Sequence, residues 1–256
     1  MKMVYLSDVG RVRPVNEDSA WVSRLEQGYT LGIVADGMGG HQAGDTASKL
    51  AVETITQDIV SLAPGLSVQA CAEALKAAIL HANEVVFRKA SEHDEYHNMG
   101  TTIVAVLLSG REGVVGHIGD SRAYQFRQDD LILLTEDHSL VNELVKSKQI
   151  SEEEASVHPR RNVLTRALGT DSKVEVDLDH IILEDGDILL LCSDGLSNYV
   201  SQEQMTLTLG LDDLSLQDRA DRLLQLALSA GGDDNITVAL LEHQEEAGSS
   251  IKEWNS

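Results

Sequence analysis

Residues 101–137 read TTIVAVLLSGREGVVGHIGDSRAYQFRQDDLILLTED, and this stretch restricts the fold more than any other. It is a series of short apolar runs separated by Gly, Asp and Arg, with turns of hairpin length at SGREG and RQDD. Connections that short favour antiparallel pairing, because a parallel pair needs a crossover of a dozen residues or more. The stretch reads as a β-meander.

Other segments alternate around it. DSAWVSRL (18–25) and YTLGIVA (29–35) are short strand-like runs. DTASKLAVETITQDIVSL (45–62) has apolar residues at helical spacing and stops at Pro64-Gly65; SVQACAEALKAAILHANEVVFRKA (67–90) continues in the same period. Together they predict a helical hairpin packed on a sheet. VEVDLDHIIL (174–183), DILLLCSDG (187–195) and NITVALLEH (235–243) return to strand character, with helices expected at SQEQMTLTL (201–209) and SLQDRADRLLQLALSAG (215–231). The order strands, helices, strands, helices, strand suits an α+β domain whose helices cover antiparallel sheets.

At 256 residues, 42% of them hydrophobic and only three of them proline, the chain has a sizeable core and little room for an interdomain linker. We read one domain over 1–243 and a disordered tail over 244–256. Within the domain, residues 139–168 are polar and without a core pattern, and form a candidate flap. The net charge of −22 argues against nucleic acid, whose phosphates would be repelled. MKMVYLSDVG has no signal-peptide apolar core, and no run approaches the ~20 apolar residues of a membrane span. Cys71 and Cys192 make no metal or redox pair by spacing; buried free thiols suit a cytoplasmic location.

Aspartates recur where apolar runs stop. LGIVA leads to Asp36-Gly37, VVGHIG to Asp120-Ser121 and ILLLCS to Asp194-Gly195; Asp233-Asp234-Asn235 stands just before ITVALL, and Glu17-Asp18 before SAWV. Any one of these is an ordinary turn signal. As a set they lie at the core edge, where unpaired carboxylates are costly unless cations neutralise them. An all-oxygen donor set fits Mg²⁺ or Mn²⁺, and no His/Cys set has zinc spacing. Glycine beside Asp36 leaves room for a backbone carbonyl to approach a second ion.

Seven motifs in order carry a resemblance: RPVNEDS (13–19), VADGMGGHQAG (34–44), GTT (100–102), GHIGDSR (116–122), LTEDHS (134–139), LLLCSDGL (189–196) and GGDDNITV (231–238). Together they resemble the metal-dependent serine/threonine protein phosphatases of the PPM or type 2C family, in the compact bacterial form. The resemblance implies a sandwich of two antiparallel β-sheets flanked by helix pairs, four layers in the order α-β-β-α, with Mn²⁺ or Mg²⁺ at one end. It implies that Asp36 bridges two ions, that Gly37 offers its carbonyl to the second, and that Asp194 and Asp234 complete the first. Asp120 resembles the ligand of a third ion, and Glu17 and Asp18 would hold ion-bound waters. Arg13 resembles the arginine that grips the substrate phosphate, and His41 the general acid. Asp233 and Asp234 are adjacent; the family pattern, with the ligand directly before Asn, favours Asp234.

The expected chemistry is phosphoserine and phosphothreonine hydrolysis by a water or hydroxide shared between the ions, without a phosphoenzyme. The implied partners are phosphoproteins and a bacterial Ser/Thr kinase, with a monomer as the default. Two rivals are weighed. An aspartate-nucleophile phosphatase needs Asp-x-Asp, and the chain has Asp36-Gly37-Met38 instead. A non-catalytic cation-binding module would bind metal without turnover. Of the other polar residues, His117 and His138 are expected to be structural, and Arg122 to pair with a carboxylate.

Overall fold

Leu31, Ile33 and Ala35 on one strand point to one apolar layer, while Val34, between them, points to another. That alternation, with both faces covered, explains why the strand reads as a continuous apolar run. In the computed structural model, which describes residues 1–39 and 43–244, the layers stack as helices, sheet, sheet, helices.

One sheet has the order β2-β3-β5-β6-β9: β2 Asp18–Arg24, β3 Tyr29–Met38, β5 Ile103–Ser109, β6 Glu112–Ile118 and β9 Asp177–Ile182. A two-residue strand, β4 Gly100–Thr101, pairs with the end of β3. The other sheet has the order β1-β11-β10-β7-β8: β1 Lys2–Asp8, β7 Arg122–Arg127, β8 Asp130–Leu133, β10 Ile188–Cys192 and β11 Ile236–Glu242. Every pairing is antiparallel. The β7–β8 turn holds Gln128 and Asp129 at φ 50° and 66°, the two positive angles a primed hairpin turn requires.

Helices α1 (Ala43–Val60) and α2 (Val68–Glu92) cover the first sheet through Ala47, Ala51, Ile55, Leu75, Ile79 and Val86. Tyr29 fixes their connection: its hydroxyl donates to Ala63 O and accepts from Leu66 N, both at 2.8 Å. Two short helices, α3 (Leu140–Lys146) and α4 (Glu152–Ser156), lie within the 139–168 stretch expected to form a flap and bury no residue. After α5 (Asp194–Ser197), α6 (Gln202–Leu209) and α7 (Leu216–Ala230) cover the second sheet, each started by a Ser capping box. Between the sheets, Val104, Val106 and Val115 meet Leu189, Leu191 and Leu241. Each fully buried aliphatic side chain contributes roughly 1.5–3 kcal/mol relative to exposure.

The expected α+β sandwich with its helix pairs is the observed architecture. Three details correct the sequence reading. β3 does not close before Asp36 but runs on to Met38, because Gly37 and Met38 find partners in Thr101 and Gly100. Lys2–Asp8, unassigned from sequence, forms the edge strand β1 against β11. Asp194 begins a short helix and does not simply sit in a turn. Cys71 and Cys192 are free and buried. No helix among the described residues is long and apolar enough to cross a membrane. Of the expected tail, residues 245–256 lie outside the described residues, as does His41.

Candidate active site

The chain passes between the sheets at residues 9–17 and at 119–121, and both crossings border one end of the sandwich. There a cavity of about 180 Å³ is lined by Arg13, Glu17, Asp36, Gly37, Asp120, Asp194 and Asp234, together with Met38, Gly39, Thr102, Asn162, Leu164 and Asn235. Carboxylates far apart in sequence are thus delivered from both sheets to one place. Asp233, by contrast, is exposed and absent from the lining.

Asp36 is held by its backbone. Its N–H donates to Thr102 Oγ1 at 3.0 Å, and its carbonyl accepts from Thr101 Oγ1 and Thr102 N, both at 2.8 Å. Thr102 Oγ1 also meets Ser121 Oγ at 2.7 Å, next to Asp120. Gly37 is required by packing: a Cβ there would stand 2.1 Å from Gly44 O and 2.6 Å from Glu17 O, so the α1 N-terminus and the Glu17 backbone close directly onto it. Asn235 ties the 9–17 crossing to β11, donating to Val9 O at 2.9 Å and Val15 O at 3.0 Å and accepting from Glu17 N at 2.8 Å.

Asp18 lies behind the cavity and is buried. One oxygen, Oδ2, accepts from Ser193 Oγ and Thr237 Oγ1, both at 2.7 Å. The other, Oδ1, is buried without a partner among the described residues, as is Oε1 of Glu17. Buried polar atoms are normally satisfied, so two orphaned carboxylate oxygens beside an acidic cavity are what a site for cations and their waters would leave. The electrostatics agree. Burial, followed by the charges of Asp18, Asp194 and Asp120, drives Asp36 well above the ordinary carboxylate range. Burial raises Asp18 to about 7 against its two hydroxyl donors, and raises Asp120 to about 7 with help from Asp194. Asp194 is raised to about 6 by burial and by Asp234, and Glu17 is raised by burial. Without cations these groups resist ionising together; with them the charge is matched.

Arg13 stands at the rim, half-exposed, with Nη2 donating to Asp234 Oδ2 at 2.7 Å. Its other guanidinium N–H groups make no hydrogen bond among the described residues. Arg122 pairs in two-pronged fashion with Asp137, at 2.8 and 2.6 Å. His117 and His138 are buried and stacked, with ring centroids 4.8 Å apart. Burial lowers the pKa of His138.

The structure therefore brings together Arg13, Glu17, Asp36, Gly37, Asp120, Asp194 and Asp234 around one cavity, with Asp18 immediately behind. Sequence reasoning missed Ser193, Thr237 and Asn235, which orient this set, and Asn162 and Leu164, which bring the flap to it. Ser193 and Asn235 at least adjoin the singled-out Asp194 and Asp234; Thr237, although inside the GGDDNITV stretch, reads there as ordinary strand composition.

Comparison with known proteins gives a consistent picture. The family model for protein phosphatase 2C matches residues 11–233. The serine/threonine phosphatase stp of Listeria welshimeri is 41% identical over 242 residues, covering 94% of this chain and 96% of that protein. The solved serine/threonine phosphatase of S. agalactiae is 39% identical with a TM-score of 0.88, covering 93% of this chain and 98% of that one. The catalytic domain of the phosphatase PstP, solved with two manganese ions, is 35% identical with a TM-score of 0.83, covering 94% and 97%.

Proposed function

The chain belongs to the protein phosphatase 2C family and is a metal-dependent serine/threonine protein phosphatase; from that premise we propose how its cavity performs the reaction. The observation that carries the reading is the delivery of carboxylates from both sheets to one cavity, with one oxygen of the lining Glu17 and one of Asp18 behind it left without a hydrogen-bond partner among the described residues.

We propose that Asp36, Asp194 and Asp234, with the Gly37 carbonyl, hold two Mn²⁺ or Mg²⁺ ions, and that Asp120 serves a third. Such ions, when bound, neutralise developing phosphoryl charge and acidify water for in-line attack. Glu17 and Asp18 present their free oxygens as acceptors that orient water. Ser193 and Thr237 fix which oxygen of Asp18 is free by occupying the other. Arg13 turns its fork to the substrate phosphate, giving charge-assisted hydrogen bonds whose geometry a lysine cannot copy. His41 is the proposed donor of the proton to the departing Ser or Thr oxygen. Its support is its place in sequence, two residues after the cavity-lining Gly39. Asp36-Gly37-Met38 lacks the second aspartate of an aspartyl-phosphate mechanism, so the phosphoryl group passes directly to water.

Phosphoproteins made by a cognate bacterial Ser/Thr kinase are the proposed substrates, met in the cytoplasm by a single copy of the chain. The test is hydrolysis of p-nitrophenyl phosphate and a phosphothreonine peptide with Mn²⁺, with Mg²⁺ and with EDTA, on wild type and Asp194→Ala. Turnover should require the divalent ion and collapse in the variant. Activity that survives both would place the chemistry elsewhere, and metal binding without turnover would favour a cation-binding module.

A further inference from the structure

His138, at the base of the flap, is bound on four sides. Its backbone N–H donates to Gly119 O at 2.9 Å and its carbonyl accepts from Thr165 N at 2.8 Å. Its ring Nδ1 accepts from Gly119 N at 3.1 Å, and its Nε2 meets Asp177 Oδ2 at 3.1 Å. A backbone amide can only donate, so Nδ1 carries the lone pair and the proton resides on Nε2, which donates to Asp177. The other oxygen of Asp177 accepts from Arg166 Nη1 at 2.8 Å. His117, His138 and Asp177 have the composition of a metal site, with ligand atoms within 4.8 Å of one another. Both ring nitrogens of His138 are already committed, however, and Arg166 holds the carboxylate. The trio is a brace.

What it braces is specific. Gly119 has φ +104°, and a Cβ there would stand 2.6 Å from Thr102 Cγ2, so its turn is pressed against the threonine that holds Asp36. Asp120 follows directly. On the flap side, Thr165 and Arg166 follow Asn162 and Leu164, which line the cavity. One residue therefore grips the Asp120 turn from two atoms and the returning arm of the flap from its carbonyl, and its Nε2 reaches Arg166 of that arm only through Asp177 of β9.

We propose that His138 is a positioning residue: its Nδ1 and backbone grip on Gly119 aims the Asp120 carboxylate into the cavity, and its link through Asp177 to Arg166 sets the flap wall against that same turn. The proposal rests on the reading of Asp120 as a cation ligand, and the experiment separates the two. Metal-free wild type, Asp120→Asn, His138→Asn, His138→Gln and His138→Ala are titrated with Mn²⁺ by calorimetry, with melting temperatures measured alongside. Asn places an acceptor where Nδ1 was and loses Asp177; Gln reaches toward Asp177 and loses Gly119. Asp120→Asn should weaken or remove one Mn²⁺ step. His138→Gln and His138→Ala should weaken that same step by roughly tenfold to a hundredfold, as loss of an outer support typically does, while His138→Asn stays close to wild type. If His138→Ala does not fold, the Asn and Gln variants decide. An Asp120→Asn protein that binds Mn²⁺ like wild type overturns the reading of Asp120 and the proposal with it. A changed Asp120→Asn protein beside an unchanged His138→Gln protein overturns the proposal alone. So does equal weakening in His138→Asn and His138→Gln, following their melting temperatures.

Discussion

Asp18 and Asp36 stand directly opposite each other across β2 and β3. Like charges at such a cross-strand pair repel, and here both lie where water is scarce. The fold tolerates the pair by keeping protons on it or by matching it with cations.

The first prediction follows from the buried carboxylates gathered around that pair, Asp18 and Asp194 among them. The pKa of Asp18 rises from 3.8 to about 7 on folding and that of Asp194 from 3.8 to about 6. Between these limits the folded chain holds more protons than the unfolded one, so its stability falls as pH rises from about 4 to 7. In EDTA, the urea midpoint should be lower at pH 8 than at pH 5; saturating Mn²⁺ or Mg²⁺ should recover much of the loss by binding the folded state alone. A midpoint independent of pH in EDTA would contradict the linkage.

Thr237→Val removes one of the two hydroxyls that donate to Asp18 Oδ2. Loss of a donor to a buried charge costs about 1–3 kcal/mol, and Asp18 should become still harder to ionise. Chemical denaturation at pH 8 with Mn²⁺ should register the cost, and calorimetry should register weaker Mn²⁺ binding. Ser193→Ala should behave similarly. Wild-type values in both assays for both variants would remove these hydroxyls from the site.

Replacement of Arg13 tests the phosphate grip. Arg13→Ala should lower kcat/KM on a phosphothreonine peptide by about 10²-fold, the scale of losing one donor to transition-state charge. Arg13→Lys should recover little, because the fork and not the charge alone is used. Inhibition by inorganic phosphate should weaken in parallel. If Arg13→Lys matches wild type, the two-pronged geometry is not what matters.

Gly37→Ala would put a methyl group 2.1 Å from Gly44 O. Neither backbone can yield without moving β3 from α1, so a cost of about 1–3 kcal/mol or more is expected, a fall in melting temperature of several degrees. Gly65→Ala is the control. Nothing lies within 4 Å of its Cβ, and only its φ of +74° is strained, so the loss should be smaller. Thermal melts of the two variants in EDTA make the comparison without reference to metal.

The helices and the antiparallel meander were legible because α1, α2 and α7 carry a period near 3.6 and because the SGREG and RQDD turns are too short for crossovers. How the sheets face each other was not legible. Leu189, Leu190, Leu191 and Cys192 are all buried, two toward one layer and two toward the other, and no polar residue marks the phase. The acidic members of the site announced themselves by breaking apolar runs. Thr237 did not, since a small hydroxyl inside an apolar run reads as ordinary strand composition; Thr102, although part of the GTT motif, reads only as the start of a strand. β1 was missed because its exposed and half-buried residues give an edge strand a weak pattern.

The flap helices α3 and α4 bury no side chain, yet the segment that follows them supplies Asn162 and Leu164 to the cavity. Folding places little selective constraint on such a segment, and its sequence can drift without disturbing the three apolar layers. What it faces, however, is whatever enters the cavity. New substrate preferences in this architecture are therefore accessible through changes that leave the fold untouched, and the Arg166–Asp177–His138 tether marks where that freedom ends.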